Sequence, residues 1–176
     1  MRIIAGSIKG RKLQAPPGED LRVRPTSDRA REALFSILQR WPQGPFLDLC
    51  AGTGAVGLEA WSRGYDPVTC VEAGEPGWSA LQTNLRGTGV VALRKDVTRL
   101  DAGDFPPQAV IFLDPPYAQA GELWGKLSPR IRRWVRPDGL VVVETERSTA
   151  LELQTGFELA ETRLYGAACF HLLRPR

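Results

Sequence analysis

The residues Asp114, Pro115, Pro116 and Tyr117 form a stretch that could bind and activate an amine. They follow the apolar run at 110–113, which is typical of a buried strand. The prolines fix φ at about −65° and remove two backbone donors, which leaves their carbonyl oxygens as acceptors. Asp114 adds a carboxylate acceptor beside them. Two acceptors held a fixed distance apart can bind both N–H groups of an exocyclic amine, and the Tyr117 ring offers a face for stacking a base. These four residues are the predicted catalytic residues.

A glycine-rich segment at 47–60 lies between a strand-like and a helical stretch. Gly52, Gly54 and Gly57 match the pattern G-x-G-x-x-G, and Glu72 lies twenty residues beyond Gly52. This arrangement is also found in dinucleotide-binding proteins, so a nicotinamide dinucleotide is the first hypothesis.

Four carboxylates favour a different nucleotide. Asp48, Glu72 and Asp96 are 24 residues apart, the length of one strand and helix, and together with Asp114 they are expected at the carboxyl ends of parallel strands. Such an acidic edge repels a pyrophosphate but suits a cationic ligand or one with hydroxyl groups. S-adenosylmethionine has a sulfonium, an ammonium and a ribose diol without any phosphate, so it is the predicted cofactor. The predicted cofactor-binding residues are Asp48, Ala51, Gly52, Thr53, Gly54, Glu72 and Asp96, with Glu72 accepting from the ribose hydroxyls and Asp96 from the adenine amine.

The elements that must position these residues can be predicted from periodicity. A first helix is expected from about Ser27, because apolar residues recur every three or four positions between Ala30 and Trp41. Strand-like segments follow at 46–50, 68–72, 90–96, 109–114 and 140–144, and helical segments at 55–63, 76–86 and 123–134. Strands that alternate with helices and are apolar on both faces predict a parallel sheet covered on both sides.

The second half of the chain carries three further signals. Pro129 is expected to split or kink the last helix, and residues 137–139 are expected to form a turn. The tail reads as a hairpin about Tyr165 and Gly166, which predicts an antiparallel edge on the otherwise parallel sheet.

Length and composition place limits on the class of protein. A chain of 176 residues is expected to form one domain, and the absence of a long apolar run argues against a membrane span or signal peptide, so a cytoplasmic location is expected. Three widely spaced cysteines in apolar surroundings predict reduced thiols without a disulfide framework, and no residue is predicted to bind a metal. Residues 1–31 contain eight of the 23 Lys and Arg residues but only three of the 20 Asp and Glu residues, which favours a phosphate-rich partner.

Several of these motifs resemble one known family. "DPPY" resembles the [D/N]-P-P-[Y/F] motif of amino methyltransferases, and "LDLCAGTGAVGLEA" resembles their cofactor motif. With "MRIIAGSIKGRKL" and "RPTSDRARE" in the same order, the whole chain resembles the RsmD family of bacterial 16S ribosomal RNA guanine-N2 methyltransferases. The resemblance implies a Rossmann-like class I methyltransferase fold, in which a mostly parallel seven-stranded sheet has helices on both faces, an antiparallel C-terminal hairpin edge and a small N-terminal β-hairpin.

The resemblance also implies a reaction and a partner. The expected substrate is the N2 amine of a guanine in 16S rRNA of the small ribosomal subunit or its assembly intermediate, by resemblance the guanine at position 966. The expected organisation is a basic arm at 1–25 followed by the methyltransferase domain at 26–176, working as a monomer. The expected RNA-binding residues are Arg2, Lys9, Arg11, Lys12, Arg22, Arg24 and Thr26.

Other functions remain open from the sequence. A DNA or RNA adenine-N6 methyltransferase can carry "DPPY", although such DNA enzymes usually need extra sequence to recognise a duplex site. A protein-glutamine methyltransferase more often carries "NPPY". A non-catalytic RNA-binding assembly factor would keep the cofactor fold as a scaffold. An NAD oxidoreductase would need a proton donor in the cleft, and the lone His171 is expected to be a packed or edge residue instead.

Overall fold

The computed structural model describes residues 1–16 and 27–176. The strands are β1 (Phe46–Leu49), β2 (Val68–Glu72), β3 (Val91–Arg94), β4 (Gln108–Leu113), β5 (Val135–Glu146), β6 (Phe157–Tyr165) and β7 (Ala168–Pro175). The α-helices are α1 (Asp28–Leu38), α2 (Ala55–Ser62), α3 (Glu75–Asn84) and α4 (Ala120–Trp134), and 3₁₀ turns occur at Val97–Arg99 and Tyr117–Gln119.

The seven strands form one sheet in the order β3-β2-β1-β4-β5-β7-β6. Strands β1 to β5 pair in parallel, and β7 pairs antiparallel with both β5 and β6. The predicted fold class is therefore confirmed, including the hairpin edge formed by the tail. The strand order changes direction beside β1 and β4, which is where open sheets of this kind bind ligands.

Each face of the sheet carries its own apolar core. One core joins α1, α2 and α3 to residues such as Phe46, Val110 and Phe112, and the other joins α4 to their strand neighbours, such as Leu47 and Ile111. The strands alternate between the two cores because successive side chains of a strand point to opposite faces. Burial on both faces explains why the central strands read as continuous apolar runs.

The helices begin and end close to the predicted positions. Ser27 caps α1 by accepting a hydrogen bond from the Ala30 backbone N–H, 3.1 Å from its hydroxyl. Pro129 lies inside α4 and does not split it. Buried residues on both sides of the proline, including Leu127 and Ile131, hold the helix against the sheet and offset the lost backbone hydrogen bond.

The turn predicted at 137–139 is instead a bulge within β5. Gln108 of β4 pairs with Val135, whereas Val110 pairs with Leu140, so β5 carries three extra residues over this interval. The extra residues are accommodated without ending the strand, because β4 continues beside β5 on both sides of the bulge.

Residues 1–16 form a short arm that folds back on itself and docks on α2. Arg2 and Lys12 form an antiparallel bridge, and the Ile3 backbone N–H donates to the Arg11 carbonyl at 2.9 Å. The buried carboxylate of Glu59 in α2 accepts from the backbone N–H groups of Ile4 at 2.8 Å and Ala5 at 3.0 Å. The remainder of the predicted arm, at 17–25, and Thr26 lie outside the described residues.

Two further side chains complete the anchor of the arm. The Arg63 Nε donates to Glu59 at 2.8 Å, and the fully buried Arg31 of α1 lies 3.7 Å from the same carboxylate. The Arg31 guanidinium also donates to the Arg2 carbonyl and pairs with Asp28 at 3.0 Å. Glu59 thus neutralises cationic groups and binds the arm at one point in the interior.

The cysteines Cys50, Cys70 and Cys169 are free thiols. Within residues 1–16 and 27–176, none of the helices has the length and apolar character needed to cross a bilayer.

Candidate active site

The glycine-rich loop joins the end of β1 to the start of α2. The Ala51 backbone N–H donates to the Val71 carbonyl at 2.9 Å, so the loop is attached to the end of β2. Gly54 precedes the helix with φ at +78°, and a Cβ there would lie 2.4 Å from the Leu81 Cδ1. The positive φ favours glycine at this position, and the Leu81 side chain would have to shift to admit a Cβ.

Asp48 of β1 is hydrogen-bonded to the first turn of α2, on the far side of the loop. It is 1% exposed, and its Oδ2 accepts from the Gly57 backbone N–H at 2.9 Å, which ties β1 to α2. Burial is the main cause that raises the pKa of the Asp48 carboxyl to about 7; the Gly57 N–H acts in the opposite direction, and the nearby Glu72 charge contributes a smaller increase. Asp48 is not among the residues that line a cavity of about 260 Å³ at this edge of the sheet, so its position supports the loop instead.

Glu72 lies at the end of β2, directly beside the loop. Its Oε2 accepts from the Gly52 backbone N–H at 2.7 Å, and its Oε1 accepts from the Gly74 backbone N–H at 2.7 Å. The two hydrogen bonds fix the plane of the carboxylate. The side chain therefore faces the cavity in a defined orientation.

Asp96 follows β3 and is oriented by its own neighbour. The backbone N–H of Thr98 donates to the Asp96 Oδ1 at 2.8 Å, and the Thr98 hydroxyl donates to the same oxygen at 2.7 Å. These hydrogen bonds lower the pKa of Asp96, so it is ionised at neutral pH. From α4, the Arg130 guanidinium donates to the Thr98 carbonyl at 3.2 Å and fixes the turn that carries both residues.

A cavity of about 260 Å³ lies at this edge of the sheet. Glu72 and Asp96 line it, and so does Pro116 of the predicted catalytic corner. A second, more open hollow of about 460 Å³ lies beside the carboxyl end of β5 and the turn between β6 and β7, and none of the predicted site residues in the described part of the chain line it. The smaller cavity is therefore the candidate active site.

The corner after β4 is held next to β1. The Asp114 backbone N–H donates to the Leu49 carbonyl at 3.2 Å, which places Asp114 beside the start of the glycine loop. The Pro116 carbonyl accepts from the Gln119 N–H at 2.8 Å, whereas the Pro115 carbonyl has no hydrogen bond to any described residue. Tyr117 is half-buried, and its hydroxyl donates to the Glu144 Oε1 at 3.2 Å.

The four predicted carboxylates converge on Cys50. Burial raises the pKa of the Cys50 thiol far above its usual range, and the negative charges of Glu72, Asp114, Asp48 and Asp96, in that order, raise it further. Because charge effects of this kind fall off with distance, all four carboxylates act on one small region. The site therefore has the acidic character expected from the sequence.

The predicted RNA-binding residues have different environments. Arg2, Lys9 and Lys12 are exposed on the arm. Arg11 is half-buried, and its guanidinium donates to the carbonyls of Asn84 at 2.8 Å and Arg86 at 2.7 Å, at the carboxyl end of α3. Arg22, Arg24 and Thr26 lie outside the described residues.

Asn84 links the arm to the glycine loop. Its Nδ2 donates to the carbonyls of Thr53 and Gln14, both at 3.0 Å, and its Oδ1 accepts from the Gln14 N–H at 2.8 Å. Asn84 is 3% exposed, so these hydrogen bonds are protected from water. The position of the glycine-rich loop is thus coupled to the arm through the buried Asn84 amide.

Sequence reasoning missed several residues that line the cavity. Five of these are Cys50, Val97, Thr98, Gln119 and Leu123. Val97 and Thr98 directly follow the predicted Asp96, so a search of the neighbouring positions could have found them. Cys50, with φ at +62°, directly precedes the predicted Ala51 and could have been found in the same way. His171 lies buried in β7, with its Nε2 3.0 Å from the Thr145 hydroxyl, and it does not line the cavity.

Comparison with known proteins finds close relatives over the full length. The family model described as "Conserved hypothetical protein 95" matches residues 1–174. The "Ribosomal RNA small subunit methyltransferase D" of Haemophilus influenzae is 33% identical over 98% of this chain and 92% of its own length. The protein of the same name from Escherichia coli is 30% identical over 98% of this chain and 88% of its own.

The fold of the whole chain is also found in a solved structure. The solved structure of a hypothetical protein from Thermus thermophilus matches with a TM-score of 0.81 at 34% identity, and the match covers 99% of both chains. The family model matches nearly every residue, and the two curated relatives at 33% and 30% identity are both named small subunit methyltransferase D. The chain therefore belongs to the RsmD family.

Proposed function

We propose that this chain transfers a methyl group from S-adenosylmethionine to the exocyclic N2 amine of a guanine in 16S rRNA of the small ribosomal subunit, the guanine at position 966 by resemblance. One observation carries the proposal. Pro116 of the acceptor corner lines the same cavity as the carboxylates of Glu72 and Asp96. A nucleoside held by these carboxylates and an amine held at the corner would be neighbours. The names of the relatives from Haemophilus influenzae and Escherichia coli support an rRNA substrate.

The residues that line the cavity fit this cofactor. Each oxygen of Glu72 accepts one backbone N–H, and a carboxylate oxygen can accept a second donor, so the ribose hydroxyls can also be bound. The Asp96 Oδ2 has no hydrogen-bond partner within the described part of the chain and can accept from the adenine amine. The surrounding carboxylates favour a cationic ligand over a pyrophosphate. When bound, S-adenosylmethionine supplies an electrophilic methyl group on its sulfonium.

The corner residues would prepare the guanine amine for attack. The N2 lone pair of guanine is delocalised into the ring, so the free base is a poor nucleophile. Hydrogen bonds from the amine to the Asp114 carboxylate and the Pro115 carbonyl favour a more pyramidal nitrogen with its lone pair directed into the cavity. Because the Asp114 backbone is tied to Leu49, the acceptors are positioned before the substrate arrives. After transfer, the surplus amine proton leaves to Asp114 or to water.

The arm would supply most of the affinity for RNA. Arg2, Lys9 and Lys12 are exposed cations that can contact phosphates without reading sequence. A guanine in a helix or tight loop must be extruded to reach the corner, which costs a few kcal/mol, and the phosphate contacts would offset this cost. A ribosomal substrate also implies that the enzyme works in the cytoplasm.

The test is methyl transfer from labelled S-adenosylmethionine to three substrates: naked 16S rRNA, small-subunit particles that lack the modification, and unmethylated DNA. Nucleoside analysis of the product identifies the methylated atom. We expect N2-methylguanosine from the particles. N6-methyladenine in DNA would favour the adenine-specific enzyme, and no transfer to any substrate despite salt-sensitive RNA binding would favour a non-catalytic assembly factor.

A pair of variants tests the role of the corner. Asp114→Ala should lower the transfer rate by about 100-fold or more, a typical effect of removing a group that stabilises the transition state. Its affinity for S-adenosylmethionine, measured by calorimetry, should persist. Asp138→Ala is the matched control, because Asp138 is exposed in the bulge at the opposite end of β5. Unchanged turnover of Asp114→Ala would rule out the assigned role.

A further inference from the structure

Glu144 is a buried acid that the predicted catalytic and cofactor-binding residues do not include. It lies in β5 and is 4% exposed. Leu113 of β4 pairs with Val143 of β5, so the residues that follow this pair, Asp114 and Glu144, are neighbours at the carboxyl edge of the sheet. A carboxylate is seldom buried without a specific partner, because removing its charge from water is costly.

One partner of this carboxylate is the last residue of the catalytic corner. The Tyr117 hydroxyl donates to the Glu144 Oε1 at 3.2 Å. Tyr117 is half-buried at the start of a short 3₁₀ turn, where the backbone alone leaves the ring free to rotate about two side-chain bonds. A hydrogen bond from the far end of the ring to a buried carboxylate restricts both rotations. Hydrogen bonds to charged groups are also stronger than those between neutral groups.

The orientation of the ring matters for the reaction proposed above. A base that stacks on Tyr117 takes its plane from the ring, and the plane of the base determines where its exocyclic amine lies relative to Asp114 and Pro115. Small errors in the position of a reacting atom lower the rate strongly. A group that fixes the ring therefore contributes to positioning of the amine without touching it.

We propose that Glu144 is a positioning residue that holds the Tyr117 ring in the orientation required for stacking of the target base. The inference rests on the proposed function, since it concerns the same site. It predicts that Glu144 acts through the Tyr117 hydroxyl. Removing either group should therefore have the same effect, and removing both should have no greater effect than removing one.

The test is a double-mutant cycle with Tyr117→Phe and Glu144→Leu, measured as methyl transfer to small-subunit particles. Each single variant should lower kcat about tenfold, with little change in the KM for RNA or the affinity for S-adenosylmethionine. The double variant should also lose about tenfold. Glu144→Gln retains an acceptor oxygen and should recover most of the activity. Tyr165→Phe, at the last residue of β6, is the control that should behave as wild type.

Two results would overturn the proposal. Independent losses that multiply to about a hundredfold in the double variant would show that Glu144 does not act through Tyr117. A Glu144→Gln variant that folds as the wild type but is as inactive as Glu144→Leu would show that the negative charge itself is required, not the acceptor.

The contact can also be measured without turnover. The protein has three tyrosines, and ¹³C-labelled tyrosine gives one set of ring signals for each, with Tyr117 assigned from Tyr117→Phe. Glu144→Leu should shift the Tyr117 signals and leave those of Tyr65 in place. Unmoved Tyr117 signals would refute the positioning role, whereas a wild-type protein that transfers no methyl group would refute only the proposed function.

Discussion

The substitution Glu59→Gln should destabilise the protein far more than Glu122→Gln, the same exchange at the single carboxylate of α4. The Glu59 side chain is fully buried and receives two backbone N–H groups of the arm and the Nε of Arg63, with Arg31 at 3.7 Å. A glutamine keeps one acceptor oxygen but places an NH₂ donor where donors already converge. In either orientation, some donors lose their acceptor, and the buried Arg31 loses a neutralising charge.

The expected cost is about 3 to 5 kcal/mol, the usual effect of removing one partner from a buried ion pair. For a domain of this size each kcal/mol lowers Tm by about 2 to 4 °C, so Tm should fall by roughly 6 to 20 °C. Thermal unfolding followed by circular dichroism measures the change. Limited proteolysis should also cleave the arm of the variant sooner, because the backbone of Ile4 and Ala5 loses its anchor.

Glu122→Gln is the matched control for this experiment. Glu122 also pairs with a cation four residues later in a helix, Lys126 in α4, but both side chains are exposed. Its loss should leave Tm unchanged within error, since exposed pairs contribute little. If Glu59→Gln and Glu122→Gln melt at the same temperature, the buried carboxylate does not hold the arm and the reasoning is wrong.

Three other outcomes follow from the structure. Asp48 has a raised pKa of about 7, so between about pH 4 and pH 7 the folded protein keeps a proton that the unfolded chain loses. The free energy of unfolding should therefore fall as the pH rises through this range. Urea unfolding at pH 5 and pH 8 should show this fall in the wild type and not in Asp48→Asn. Gly57→Ala would place a Cβ 2.3 Å from the Cys70 sulfur and should lower the free energy of unfolding in urea by about 1 to 3 kcal/mol. Gly125→Ala, with open space around it in α4, should raise it by up to about 1 kcal/mol, and equal stabilities of the two variants would contradict the packing argument. Asn84→Leu should weaken S-adenosylmethionine binding in calorimetry by freeing the glycine loop from the arm, and an unchanged affinity would show that the link is not needed.

The main features of the fold could be predicted from sequence because they depend on local patterns. The apolar runs of the central strands identify a sheet buried on both faces, and Ser27 identifies the start of α1. The spacing of 24 residues between Asp48, Glu72 and Asp96 is informative for the same reason, since parallel strands bring equivalent positions to one edge of the sheet. The acidic edge around Cys50 is consistent with that prediction.

The remaining features depend on contacts between distant residues. Glu59 lies in the second turn of a short helix, where a glutamate is ordinarily exposed, and only the docking of Ile4, 55 residues earlier in the chain, makes it a buried acceptor. Glu144 continues an apolar strand and gives no sign that it meets Tyr117. The bulge after Val135 likewise depends on the register with β4, which the sequence of β5 does not contain.

The docking of the arm on α2 has a consequence for variation within the family. The arm is attached to α2 through its backbone: the N–H groups of Ile4 and Ala5 bind Glu59, that of Ser7 binds the Ser62 carbonyl, and that of Ile8 binds the Ser62 hydroxyl. Backbone donors are the same for every residue except proline, so the exposed side chains of the arm can change without loss of its attachment. Relatives could therefore vary the exposed side chains of the arm while keeping its attachment to a common fold.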